Sequence, residues 1–335
     1  MQGAQTISIL NFVTHNGASY KSIDLHFQHF GMQWDKAPVI LVNHSLTGDS
    51  NVCGPSGWWN EVIGPGLTID TNKFAILAFN IPGNGFYNQT FEYPEDFHAG
   101  DIATLFKLGL DQLGISELYA LIGGSIGGGI AWEMAAQFPN LTQRLVPVAA
   151  DWKASDWIIA NTFLQKRILE NSKEPLRDAR IHAMLCYRNP ESLESRFNRS
   201  FNEERNCYNV ESWLHYHGDK LEQRFALQAY KMVNHLLGTI DITRGQKDFT
   251  TVVSSIKADI HLIAIDSDLF FTPLQDQKTY ALIKPFKDNI FFHEIASLHG
   301  HDAFLIENEK VKHLLTKIFN HPIKHSNYES STRTY

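Results

Sequence analysis

The stretch LIGGSIGGGIAW, residues 121–132, sets five glycines around one serine. An apolar run, Leu118–Ile122, leads into it with the length of a buried strand. Ile126, Ile130, Met134 and Phe138 then recur at helical spacing until Pro139 closes the pattern. The serine therefore falls on a strand-to-helix turn. Neither phosphate-cradling pattern fits, because the spacing of Gly-x-Gly-x-x-Gly is missing and no Lys-Ser or Lys-Thr follows the glycines. What fits is Gly-x-Ser-x-Gly, read as Gly123, Gly124, Ser125, Ile126 and Gly127, in which small neighbours let a strained turn lift a nucleophilic hydroxyl above a sheet. Alone, the pentapeptide does not separate such an elbow from a plain glycine turn.

The rest of the chain supplies the context. Six short runs read as strands: Pro38–Asn43, Phe74–Asn80, Leu118–Ile122, Leu145–Ala149, Ile260–Ile265 and Ile290–Ile295. They alternate with helical patterns, which predicts a mostly parallel sheet flanked by helices, the α/β class and, with the elbow, the α/β-hydrolase fold. Between Trp152 and Lys257 strand-like runs give way to polar, aromatic-studded helical stretches such as DWIIANTFLQKRILE and DKLEQRFALQAYKMVNHLL. The predicted organisation is a catalytic core of residues 1–152 and 257–320, a helical cap insertion over 153–256, and a flexible polar tail over 321–335. A cap inserted there overhangs the C-terminal edge of the sheet, where α/β enzymes bind ligands.

Composition narrows the function. With 335 residues, 43% hydrophobic and 19% charged, the chain can bury a full core. A formal net charge of −7 argues against a nucleic-acid binder. No apolar run is long enough for a membrane span, and MQGAQTISIL lacks the pattern of a signal peptide, so a cytoplasmic enzyme is expected. Cys53, Cys186 and Cys207 are widely separated and lack metal-ligand spacing, which predicts reduced thiols and no metal site.

A serine nucleophile needs a base, an acid to orient that base, and donors for the oxyanion; in this architecture they follow in the order Ser, Asp or Glu, His. The run HLIAIDSDLFFTP ends a strand in two acids. Asp268 is the expected orienting acid because it lies in the loop beyond the strand end, whereas Asp266 nearer the strand could equally be paired structurally. The run FFHEIASLHGHDAFL offers His299 and His301 around Gly300, and the residues do not separate the two. The oxyanion hole should combine the N–H of Ile126 with that of Leu46 in the loop NHSLTGDS. His44 in the same loop reads as a structural hydrogen-bonder.

The strings NHSLTGDSNVCGPSGWWNEVIGPGLTIDTNKFAILAFN, GGSIGGGIAWEMAAQFP, VESWLHYHGDKLEQRF, IDSDLFFTP and GHDAFLIE resemble, in order and spacing, the homoserine O-acetyltransferase family over about residues 20–318. That resemblance implies an acyltransferase with Ser125 as nucleophile, Asp268 as orienting acid and His301 as base. The implied chemistry is ping-pong: serine takes an acetyl or succinyl group from acyl-CoA, a co-substrate rather than a resident cofactor, and passes it to the side-chain hydroxyl of homoserine, feeding methionine synthesis. It also implies acceptor-binding roles for Arg180, Tyr187 and Asp302, and a homodimer formed through the cap. Arg180 and Tyr187 are seven apart and share a helix face, so a guanidinium fork and a hydroxyl could grip a carboxylate while Asp302 holds the ammonium. The plainer alternative for Arg180 is an ion pair with Asp178 or a neighbouring glutamate on a solvated cap helix. Serine as acceptor, a water-using esterase or thioesterase, and a silent scaffold are the competing readings. One departure stands out: NIPGNGFYNQTFEYPEDF is shorter than the glycine-rich segment usual at this place in the family, and lacks its Gly-Ser-Thr-Gly-Pro type run.

Overall fold

The computed structural model describes residues 3–245 and 248–320, so the tail over 321–335 lies outside the described residues. Eight strands form one sheet: β1 (Gln5–Val13), β2 (Ser19–Gly31), β3 (Val39–Asn43), β4 (Ala75–Phe79), β5 (Ala120–Gly124), β6 (Arg144–Val148), β7 (Asp259–Ile265) and β8 (Ile290–Ile295). Their spatial order is β1-β2-β4-β3-β5-β6-β7-β8. The first two are antiparallel to their neighbours and the pairings from β4 to β8 are parallel. This is the α/β-hydrolase fold.

The parallel strands β3 to β7 are buried along their whole length, which is why they read as continuous apolar runs rather than alternating ones. Two buried clusters sandwich them. One includes Leu77, Phe79, Phe106 and Trp132, and the other Trp59, Ile76, Ile122, Val146 and Phe304.

Two features differ from expectation. The β1–β2 hairpin was not anticipated, although Ile23, Leu25 and Phe27 are buried at alternate positions along β2 and carry the period-two signal of a strand. Strand β5 begins at Ala120 rather than Leu118, because Leu118 makes only an isolated bridge to Thr142.

Between β6 and β7 the described chain is almost wholly helical: α3 (Asp156–Asn171), α4 (Pro175–Tyr187), α5 (Pro190–Phe197), α6 (Asn209–Glu222), α7 (Leu227–Gly238) and α8 (Phe249–Ser255). A small hairpin, Phe201–Asn202 with Cys207–Tyr208, interrupts them. The core helices are α1 (Ala99–Gln112), α2 (Ile126–Gln137), α9 (Pro273–Ile283), α10 (Ala303–Ile306) and α11 (Asn308–Asn320). No helix among the described residues is long and apolar enough to cross a membrane.

Beneath the cap, Asp151 is buried and accepts from the Thr279 hydroxyl at 2.8 Å and the Trp152 N–H at 2.8 Å. Burial outweighs those two donors and raises its carboxyl to about 6. The folded chain thus binds this proton more tightly than the unfolded chain between about pH 4 and pH 6, and stability falls as pH rises through that window. Asp151→Asn removes the titration. The variant should gain about 1 kcal/mol relative to wild type between pH 5 and pH 8 in urea denaturation; an unchanged difference at the two pH values would contradict this account of Asp151.

Candidate active site

The opening serine sits where β5 turns into α2, with Ser125 at φ 57° and ψ −128°. Such a backbone is strained for a residue with a side chain and costs about 1–3 kcal/mol. Its N–H donates to the Val148 carbonyl at 2.9 Å, and its carbonyl accepts from the Gly128 N–H at 2.8 Å. The glycines answer a packing demand. A Cβ on Gly123 would lie 2.1 Å from the Gly127 carbonyl oxygen, and one on Gly127 would lie 2.4 Å from the Asn43 oxygen. Gly124 receives the Phe304 ring, Gly128 faces the Ala150 methyl and Gly129 faces Ile240. The glycine run beyond the pentapeptide thus lets α2 press onto β6 and the cap's return segment.

Ser125, His301 and Asp268 form one hydrogen-bonded chain. Ser125 Oγ lies 2.9 Å from His301 Nε2, and His301 Nδ1 lies 2.7 Å from Asp268 Oδ2. Asp268 Oδ1 accepts from the N–H groups of Phe270 at 2.7 Å and Phe271 at 3.0 Å, so the carboxylate is fixed from behind. All three residues are buried. The rings of Tyr187, Phe270, Phe271 and Phe304 surround the imidazole with centroids 5.2–5.8 Å away.

The geometry separates the alternatives left by the residues. Asp266 accepts from the Ser297 N–H at 2.9 Å and joins two strand ends instead of reaching the imidazole. His299 lies outside the hydrogen-bonded chain. Gly300, at φ +65°, lets the loop pass so close to the cap that a Cβ would lie 2.8 Å from the Tyr187 carbonyl oxygen. His44 bonds the Ser45 carbonyl through Nδ1 at 2.8 Å and accepts the Ile81 N–H at Nε2; burial lowers its pKa, and it is structural.

The N–H of Ile126 opens α2 and has no acceptor within its own helix. Leu46 borders a cavity of about 10 Å³ whose walls include Tyr187, Tyr230 and Phe270. A larger groove of about 690 Å³, between α3, α7 and residues 92–95, is lined by none of the three chain members.

Arg180 lies over the Tyr187 ring at 5.7 Å and forms no ion pair among the described residues. Asp178, the alternative partner, instead accepts from the Ser172 hydroxyl. Burial drives the Tyr187 phenol well above its ordinary pKa, so it stays a neutral donor. Asp302 does not stand alone: its Oδ2 lies 3.1 Å from Arg188 Nε. Arg188 was missed in the sequence, although it directly follows Tyr187. Asp276 was missed as well. It is buried, and burial together with the charges of Asp151 and Asp268 pushes its carboxyl well above the usual range, keeping it neutral behind the triad.

The alpha/beta hydrolase fold family matches residues 38–281. A homoserine O-acetyltransferase from Cyclobacterium marinum is 31% identical over 91% of this chain and 91% of its own. The chain belongs to the homoserine O-acetyltransferase family. Among solved structures, homoserine O-acetyltransferase from Bacillus anthracis superposes with TM-score 0.85 at 18% identity, covering 97% of this chain and 100% of the other. An acetylester hydrolase from Corynebacterium glutamicum superposes with TM-score 0.81 at 20% identity, covering 95% and 96%. Family members of this architecture are therefore held by the same fold as ester hydrolases, and the fold alone does not choose the acceptor.

Asp268→Asn should lower kcat/KM for p-nitrophenyl acetate by about 10⁴, since the amide misdirects the imidazole. Asp266→Asn keeps an acceptor for Ser297 and should stay within about tenfold of wild type. Reversed effects would exchange the roles of the two acids.

Proposed function

We propose that the chain transfers an acetyl group from acetyl-CoA to the hydroxyl of L-homoserine through an acyl-enzyme on Ser125, a step that feeds methionine synthesis. The observation that carries this reading is the placement of Arg180, Tyr187 and the Arg188–Asp302 pair beside the Ser125–His301–Asp268 chain. A hydrolase has no need for a cation, a neutral phenol and a carboxylate at the mouth of its triad, whereas an amino-acid zwitterion does.

In the first half-reaction His301 Nε2 takes the Ser125 proton as Oγ attacks the thioester carbonyl. The oxyanion is held by the N–H groups of Leu46 and Ile126, each worth about 10²–10³ in rate. Collapse breaks the C–S bond, and the departing thiolate takes the proton from His301. In the second half-reaction the homoserine hydroxyl gives its proton to His301 and attacks the acyl carbon. Collapse returns that proton to Ser125 Oγ. Asp268 keeps the imidazole in the tautomer that accepts at Nε2.

Arg180 grips the acceptor carboxylate, with the Tyr187 hydroxyl beside it. Asp302 holds the ammonium through Oδ1, the oxygen not facing Arg188. Trp157, Ile159, Phe163 and Leu164 on α3 are exposed, and support assembly of two copies through the cap.

The test is a donor and acceptor matrix: release of free coenzyme A from acetyl and succinyl thioesters with homoserine, serine or water. Homoserine should accelerate release from the acetyl thioester; release independent of any amino acid would favour hydrolysis and overturn the proposal. Ser125→Ala should abolish acyl-enzyme formation seen by intact mass. Asp302→Asn should spare the acylation burst and lower kcat/KM for homoserine by about 30-fold or more. Loss of both halves together would instead place Asp302 in the base machinery.

A further inference from the structure

The cap joins the core through two segments, and these are paired with each other. The entering segment meets the returning one where Lys153 bridges to Asp241, with the Ala154 N–H donating to the Ile240 carbonyl at 2.8 Å and the Ile242 N–H to the Trp152 carbonyl at 3.3 Å. The returning segment is in turn fixed to α2, the helix that Ser125 opens. Glu133 lies about 12 Å along that helix from the serine and is fully buried. Its Oε1 accepts from the Asp241 N–H at 3.1 Å, and its Oε2 accepts from Arg244 Nη2 at 2.8 Å.

A buried carboxylate is costly unless it is paired, and Glu133 takes no part in the proposed reaction. Burial raises its pKa, and the Arg244 charge works against that shift. Arg244 is held on its other side by α1: its Nη1 donates at 3.3 Å to Nδ1 of His98, the N-cap of α1, and a Cβ on Gly100 would lie 2.1 Å from its Nη2. The residue itself sits at φ 50°, a left-handed backbone that a side chain disfavours. Asp241 shapes that turn by accepting from the Thr243 N–H and hydroxyl at 2.9 and 2.6 Å. A buried charge and a disfavoured backbone thus converge on one contact between cap and core. From there the connection runs on to α4. Asn234 on α7 donates to the Thr162 carbonyl on α3 at 2.9 Å, and Gln165 on α3 donates to the Ala179 carbonyl on α4 at 3.0 Å. Both amides are buried, Arg180 directly follows Ala179, and Tyr187 ends the same helix.

We propose that Glu133 and Arg244 are positioning residues that set how the cap stands over the nucleophile, and so how well an acceptor is presented to the acyl group on Ser125. The inference rests on the reading of Arg180 and Tyr187 as acceptor-binding groups, and it adds the contact that places them. A shift of the returning segment moves those groups relative to Ser125 Oγ, whereas Ser125, His301 and Asp268 keep their own hydrogen bonds. Acylation by a small ester needs the triad and the oxyanion donors. Acceptor capture needs the cap as well, so loss of the ion pair separates the two half-reactions.

The test is Glu133→Gln, which keeps an oxygen for the Asp241 N–H and removes the charge that Arg244 meets. KM for homoserine should rise about 10- to 100-fold, while the rate of Ser125 acylation by p-nitrophenyl acetate stays within about threefold of wild type. Arg244→Gln should give the same split, and the double variant should be no worse than the poorer single one, because the two side chains make one contact. Arg244→Lys restores the charge without the planar fork and should recover part of the loss. Equal losses in acylation and in homoserine use, the mark of a merely structural role, overturn the inference, and so does an unchanged KM. Hydrogen exchange decides the matter even if the wild-type chain uses no amino acid, an outcome that sinks only the reading of the acceptor. Amides of α4 should exchange about tenfold faster in Glu133→Gln, with those of β5 unchanged; unaltered exchange in α4, or the same increase in both, overturns the inference. Should Glu133→Gln not fold, as judged by thermal melting, Arg244→Lys, at a partly exposed side chain, serves for the same measurements with a smaller shift in the same direction.

Discussion

The site depends on a backbone that Ser125 would not adopt by choice. At φ 57° and ψ −128° the residue is held by contacts on every side: its N–H by the end of β6, its carbonyl by the first turn of α2, and its neighbours by backbone that leaves no room for a Cβ. A Cβ at Gly123 or Gly127 would strike a carbonyl oxygen of the facing backbone, so only glycine lets the turn pack this closely. The hydroxyl is thus fixed before any substrate arrives, and the other parts of the site are located relative to it.

Those parts come from loops far apart in sequence, tied by backbone hydrogen bonds and ring contacts. The Trp59 indole donates to the Phe304 carbonyl at 2.9 Å, and the Phe304 ring rests on Gly124. The Ser267 hydroxyl accepts from the Gly300 N–H at 3.1 Å and donates to the Ser297 carbonyl, joining the loop of Asp268 to the loop of His301. Asp70 accepts from the N–H groups of Gly66 and Asn72, closing the turn that contains Gly-Leu-Thr-Ile-Asp-Thr. Several motifs that carry the family resemblance therefore act as ties.

This explains what could be read in advance. The parallel strands were legible because burial on both faces writes a continuous apolar run, and the elbow because glycine is demanded at several adjacent positions. The hairpin β1–β2 was overlooked because most of β1 is exposed, which weakens its alternation. The residues alone favoured Asp268 over Asp266, by its place beyond the strand end, and left His299 against His301 open. Both members of each pair occupy the same loop, and only the direction of the side chain, fixed by the Ser297 N–H in one case and by the aromatic cage in the other, distinguishes them. Arg188 and Asp276 left no periodic or spacing signal, since each acquires its meaning from a partner on another element.

The fold shared with ester hydrolases leaves the choice between water and an amino acid to the cap. Water carries no charge and gains nothing from Arg180, Arg188 and Asp302, whereas a zwitterion can meet the free guanidinium with its carboxylate and the carboxylate oxygen with its ammonium. The ion pair matters for that preference in the proposed reading. By taking Oδ2, Arg188 orients Asp302 and limits the desolvation cost of keeping a carboxylate close to the triad, while the ring cage around His301 keeps bulk solvent from the imidazole. An acyl group on Ser125 would then meet few water molecules and one well-placed hydroxyl, so the selectivity arises from who is admitted beside the base rather than from any change in the base itself.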